Sequence, residues 1–81
     1  MKVPRDLSGT DLAKALRVLG YEHTRQEGSH IRLTTQIMGE HHVTILAHKR
    51  LKVGTLLNGV LKPVAAHHQM TVEELLQRLD L

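Results

Sequence analysis

The chain has 81 residues without cysteine, phenylalanine or tryptophan, and its 11 Lys and Arg against 8 Asp and Glu give a formal net charge of +3. The missing cysteine excludes disulfides, thiolate metal ligands and a cysteine nucleophile, and no apolar run reaches the roughly 18 residues of a membrane span. We therefore expect one cytoplasmic domain over residues 1–81. Its excess of basic over acidic residues suits a polyanionic partner, or else serves solubility alone.

The first predicted element is a helix over residues 9–19. Its apolar residues recur at three- and four-residue spacing, at Leu12, Ala15, Leu16 and Leu19. Ser8 followed by Asp11 gives a capping-box pattern at its start, and Gly20 provides a stop signal.

Three strands are predicted next, over residues 21–26, 29–35 and 41–47, because the helical period gives way to alternation of polar and apolar residues. Glu27-Gly28 separates the first two strands, and residues 37–40 separate the second from the third. Connections this short require antiparallel neighbours.

Two further helices follow the strands. One begins near Gly54-Thr55 and is expected to kink or break at Pro63, which lacks an amide donor. The last is short and is capped by Thr71. The sequence thus predicts an α+β fold in which helices cover one face of a small three-stranded antiparallel sheet, in the order α-β-β-β-α plus a short C-terminal helix.

The other face of this sheet is predicted to be open and basic. With Glu27-Gly28 as a two-residue turn, alternation places six side chains on it and no carboxylate among them: Tyr21, His23, Arg25, His30, Arg32 and His42. Such a face suits an anion, and ordinary solvation of an exposed sheet is the alternative. A second basic group, formed by His48, Lys49, Arg50 and Lys52, precedes the second helix.

Several short motifs resemble the HicA (YcfA-like) toxin family in their order and spacing. They are Gly20-Tyr21, Gly28-Ser29-His30, the strand Val43-Thr44-Ile45 leading to His48, and residues 51–56. The resemblance implies a fold similar to a double-stranded-RNA-binding domain, ribonuclease activity on messenger RNA, and neutralisation by a HicB-type antitoxin protein. It also implies that His30 is catalytic.

The chemistry expected of this site is metal-independent cleavage of RNA. Imidazole can give or take a proton near neutral pH, so His30 is assigned the proton transfer, with Gly28 and Ser29 forming the turn that supports it. The RNA-binding candidates are Arg25, Arg32, His42, Lys49 and Lys52. A second acid or base is left open among His42, His23 and His48, and we expect no cofactor and no DNA binding by this chain.

Three alternatives remain at this point. The same basic face could serve a non-catalytic RNA-binding module, or it could exist only to meet an acidic protein partner. A metal site is the third, suggested by the pairs His41-His42 and His67-His68. It is the least favoured, because adjacent residues on a strand point to opposite faces.

Overall fold

The computed structural model describes residues 3–47 and 50–81. Its elements, in chain order, are α1 (Gly9–Leu16), a 3₁₀ turn (Arg17–Leu19), β1 (Glu22–Glu27), β2 (His30–Thr35), β3 (His41–Leu46), α2 (Val53–Leu56), a π-helical segment (Leu57–Leu61), α3 (Lys62–His67) and α4 (Val72–Arg78). The strands form one antiparallel sheet in the order β1-β2-β3, which confirms the predicted α+β fold. The arrangement is consistent with that of a double-stranded-RNA-binding domain.

Local signals explain the ends of α1. The Ser8 side chain accepts a hydrogen bond from the Asp11 amide at 3.2 Å, which satisfies one of the free donors of the first turn. After the 3₁₀ turn, Gly20 takes a φ of 82°, as expected of a glycine stop. At the start of α1, a Cβ on Gly9 would lie 1.8 Å from the Leu46 carbonyl oxygen. Glycine at this position therefore lets α1 lie close to β3.

The two faces of the sheet differ in burial as the alternation predicts. Ile31 and Leu33 of β2 and Val43 and Ile45 of β3 are buried against the helices. The residues between them face outward, and most are exposed. One side of the sheet is therefore part of the core, and the other, called here the outer face, is open to solvent.

A β-bulge at Thr24 changes which residues of β1 face outward. Arg25 pairs with Arg32, but His23 pairs with Leu33, so one extra residue of β1 lies between the two pairs. The Thr24 hydroxyl donates to the Arg32 carbonyl at 3.3 Å and shares a hydrogen bond with the Thr34 hydroxyl at 2.9 Å. Upstream of the bulge the alternation is inverted, which turns His23 and Tyr21 toward the helices.

Of the kink or break predicted at Pro63, the break does not occur, and the helix is irregular just before the proline. Residues 53–67 stay helical, and the hydrogen-bond ladder widens just before the proline: the Lys62 amide donates to the Leu57 carbonyl, five residues back. A proline at position 63 supplies no amide to the preceding turn, and the π-helical segment absorbs this loss without ending the helix.

The last helix is capped as predicted. Thr71 and Glu74 form a reciprocal capping box, and Leu75, Leu76 and Leu79 bury the apolar side of α4 in the core. Among the described residues, no helix combines the length and apolar character that crossing a membrane would require.

Candidate nucleic-acid interface

The β1–β2 loop is one residue further along the chain than predicted. It consists of Gly28 and Ser29, with Glu27 paired to His30 across the hairpin, whereas the sequence suggested Glu27-Gly28. Gly28 has a φ of 57° at the first central position of this two-residue loop, where type II′ turns require glycine. The Ser29 carbonyl accepts from the Ala47 amide at 2.7 Å, which fixes the loop to the end of β3.

His30 lies on the outer face beside two guanidinium groups. Arg32 follows it on β2, and Arg25 lies across from Arg32 on β1. Together with Glu27 and Thr44 these residues line a shallow depression of about 180 Å³, called here the His30 pocket. All three of His30, Arg25 and Arg32 are exposed, so a phosphodiester can reach the imidazole from solvent.

The outer face is not free of carboxylates, and that prediction is wrong: Glu22, which pairs with Thr34, and Glu27 both face outward. Because the turn is shifted, Glu27 faces outward opposite His30, and its Oε1 accepts a hydrogen bond from Arg25 Nη2 at 2.7 Å. Both side chains are largely exposed, at 65% for Arg25 and 71% for Glu27. An ion pair so open to water contributes little to stability, and leaves either group able to exchange its partner for a ligand.

Two predicted members of the basic face are elsewhere. Tyr21 is fully buried, and His23 pairs with Leu33 on the side of the sheet that faces the helices. The Thr24 bulge is the reason in both cases, because it inverts the alternation between Arg25 and His23.

His42 does lie on the outer face, but at the opposite end from His30. It pairs with Thr34, whereas His30 pairs with Leu46. A second depression of about 370 Å³ extends from Arg25 and Arg32, which also line the His30 pocket, to His42, and Glu40 lines it too. Of the second basic group, Lys52 is exposed immediately before α2, whereas His48 and Lys49 lie outside the described residues.

A cluster of four rings that sequence reasoning missed lies at the His42 end, on the inner side. The buried Tyr21 hydroxyl is 2.7 Å from His41 Nδ1 and 3.3 Å from His68 Nε2, and the His41 and His67 rings stack at 4.6 Å. His67 Nε2 donates to the carbonyls of Ile37 and Gly39, at 3.1 and 3.0 Å. This Tyr21–histidine cluster joins the start of β3 to the end of α3.

The surroundings of His41 and His68 favour the neutral form of both side chains. Burial, followed by the charges of neighbouring histidines and, for His68, of Arg78, holds the pKa of His41 and of His68 below 6.5. Burial also raises the pKa of Tyr21 to about 12. Over residues 3–47 and 50–81, no three His, Asp or Glu side chains are grouped so as to hold a metal ion.

The described residues form a small α+β domain whose open sheet face carries an exposed histidine beside two arginines and a glutamate. Residues 9–62, more than half of the chain, match the family model described as the HicA toxin of bacterial toxin-antitoxin systems. The chain therefore belongs to the HicA toxin family, which implies that it is a toxin with an antitoxin partner. Searches among curated proteins and among solved structures give no match.

Proposed function

We propose that this chain is an endoribonuclease, an mRNA interferase that inhibits translation by cleaving messenger RNA and is held inactive in the cytoplasm by a HicB-type antitoxin. The observation that carries the proposal is the placement of His30, exposed on the outer face in one pocket with Arg25 and Arg32. A phosphodiester bound by the two guanidinium groups would lie against an imidazole, as proton transfer requires.

The proposed reaction uses the RNA's own 2′-hydroxyl as nucleophile. Its proton is removed, its oxygen bonds to the adjacent phosphorus, and the 5′-oxygen leaves with a proton, which gives a 2′,3′-cyclic phosphate and a free 5′-hydroxyl. Arg25 and Arg32 stabilise the negative charge that develops on the phosphoryl oxygens between these steps. His42 and Lys52 extend phosphate binding along the strand, and Lys49 remains a candidate for the same role.

Glu27 is the second proton-transfer group that this geometry offers. It lies directly across from His30 in the hairpin and lines the same pocket, whereas His42 is at the far end of the sheet and His23 is on the other face. Opposed side chains of an antiparallel pair have Cβ atoms about 5 Å apart, so both can reach one phosphodiester. When Arg25 turns to the phosphate, the Glu27 carboxylate is free to accept the 2′-hydroxyl proton while imidazolium at His30 donates to the 5′-oxygen.

The test of the proposed function is cleavage of a labelled transcript with a metal chelator present, wild type beside His30→Ala. General acid–base groups typically contribute about 10²–10⁴-fold, so we expect His30→Ala to lower the cleavage rate by about that factor while RNA affinity changes little. Wild-type protein that binds the transcript without cutting it would instead favour the non-catalytic RNA-binding module. Cleavage that stops with chelator would contradict the metal-independent mechanism.

Glu27→Gln tests the second group, with Glu40→Gln as control, because Glu40 is a carboxylate that lines the second depression on the same sheet. Removing the negative charge of Glu27 should strengthen RNA binding and yet lower kcat about 10²-fold, so the loss cannot arise from weaker binding. A Glu27→Gln protein that cuts as fast as Glu40→Gln would remove Glu27 from the mechanism and leave His30 in place.

The proposed HicB-type partner can be tested independently of chemistry. The gene beside this one should encode a small acidic protein, and adding that protein in equimolar amount should suppress cleavage. We expect the antitoxin to bind the outer face, so His30 and Arg32 should react less with labelling reagents in the complex. Unchanged reactivity of both residues would show that RNA and antitoxin bind different surfaces.

A further inference from the structure

A second basic groove lies on the other side of β1 from the His30 pocket. It runs between α1 and β1 with a volume of about 250 Å³. Lys14, Arg17, His23 and Gln26 line it together with apolar side chains that include Ala13, Ile31 and Leu33. We call it the α1–β1 groove. Lys14 and Arg17 are both exposed and lie one helical turn apart, so they project from the same side of α1 and its 3₁₀ extension.

The charges in this groove are uncompensated within the part of the chain that the structure describes. No carboxylate lines it, and the two ion pairs found, Arg25–Glu27 and Arg50–Asp6, involve neither Lys14 nor Arg17. His23 adds a third basic side chain, because the Thr24 bulge turns it away from the outer face and into the groove. The positive charge of the groove therefore attracts a polyanion. The side-chain amide of Gln26 is available there to form hydrogen bonds with that polyanion.

The groove and the His30 pocket are separated only by β1. This strand is an edge of the sheet, and every one of its residues is exposed. Arg25 faces outward from this strand, and His23, two residues earlier, faces the helices. Arg25 and His23 thus place one basic group on each side of this edge, and Glu22 and Glu27 stand at the two ends of the strand.

We propose that the α1–β1 groove binds a second stretch of the same RNA strand that is cut at His30, which rests on the proposed ribonuclease function. The strand lies on the outer face at Arg32 and Arg25, crosses the β1 edge, and continues along Lys14 and Arg17. Its phosphates pair with the cations, and Gln26 is placed to hydrogen-bond a sugar or base edge.

This path around the β1 edge favours single-stranded over double-stranded RNA. A chain that turns around a single strand edge must bend within a few nucleotides, which flexible single-stranded RNA does and a duplex resists. The substrate is therefore single-stranded RNA long enough to reach both sides of β1.

The experiment measures binding in the His30→Ala background, so that the RNA stays intact. Lys14→Gln/Arg17→Gln is compared with a control of equal charge change, Lys62→Gln/Arg78→Gln, whose sites are exposed on α3 and α4. The probes are fluorescent single-stranded RNAs of about 4 and about 12 nucleotides and a 12-base-pair duplex, titrated by anisotropy at several salt concentrations. A thermal melt establishes that each variant is folded.

With the 12-nucleotide probe, the groove variant should bind at least tenfold more weakly than the control at low salt. Its salt slope should be smaller by about 1.4, since each phosphate contact on a single strand contributes about 0.7. With the 4-nucleotide probe the two variants should bind alike. Equal affinity and slope on the longer probe, or an equal loss on the duplex, would overturn the proposal.

Two other outcomes separate the possible failures. If the groove variant binds RNA like the control but loses affinity for the antitoxin protein, the groove is a protein-docking surface and the RNA path is wrong. If the unmodified His30→Ala protein binds none of the probes, the proposed function fails together with the path.

Discussion

Gly28 shows how one residue decides the position of the candidate site. Its positive φ closes the hairpin in two residues, which sets Glu27 against His30 and Arg25 against Arg32. Sequence reasoning found His30 and both arginines, since alternation along β2 is regular and a register shift of two keeps Arg25 on the same face. It misplaced the turn because Glu27-Gly28 and Gly28-Ser29 both contain the glycine that such turns need.

Gly28→Ala should lower the free energy of unfolding by about 1–2 kcal/mol, because an L side chain is strained at positive φ. Gly54→Ala is the matched control. A Cβ at either glycine meets nothing within 4 Å, but Gly54 is in α2 and has no positive φ. Its substitution should raise stability by about 0.5 kcal/mol. Urea unfolding measures both, and equal effects of the two changes would show that φ is not the cause.

At the scale of elements, the order and type of helices and strands could be predicted, and the bulge could not. The helix starts at Ser8 and Thr71 and the alternation of β2 and β3 are local signals, and all of them are present in the structure. The extra residue at Thr24 leaves no local mark in the sequence, because threonine is equally at home in a regularly paired strand. The inward turn of Tyr21 and His23 therefore stayed hidden, and so did the Tyr21–histidine cluster.

Deleting Thr24 should regularise β1 without changing which residues face outward. His23 would remain opposite Leu33 and Arg25 opposite Arg32, now as consecutive pairs. We expect a thermal midpoint within a few degrees of wild type and retained RNA affinity. Deleting Gln26 instead would bring Arg25 opposite Ile31, on the buried side, and should unfold the protein or abolish RNA binding. A Thr24 deletion as damaging as the Gln26 deletion would show that the bulge is itself required.

At the scale of the whole molecule, the Tyr21–histidine cluster fastens α3 and the β2–β3 loop to the sheet. Burial is the main reason why the pKa values of His41 and His68, two members of this cluster, lie below 6.5. Their unfolded forms bind protons near pH 6.5, so the unfolded state gains protons first as pH falls. Stability from these groups is complete above about pH 6.5 and declines below it, toward the lower pKa values of the folded state.

We therefore expect the free energy of unfolding to decrease between pH 7 and pH 5, before most carboxylates titrate. His68→Gln, which keeps a donor for the Tyr21 hydroxyl, should flatten this decline. His30→Gln is the control, because this exposed histidine lies at the opposite end of the sheet from the cluster. Denaturant unfolding at several pH values measures the slope. Equal slopes in the two variants would assign the pH dependence to other groups.

His30 and the Tyr21–histidine cluster lie at opposite ends of one sheet, so the group proposed for catalysis is not among those that join α3 to the sheet. A substitution at His30 should therefore remove the toxic activity and leave the fold intact. A cell that could not tolerate the active protein should accumulate the folded His30→Ala form. That form can serve as bait, because the transcripts and the antitoxin that it binds can be recovered with it and sequenced.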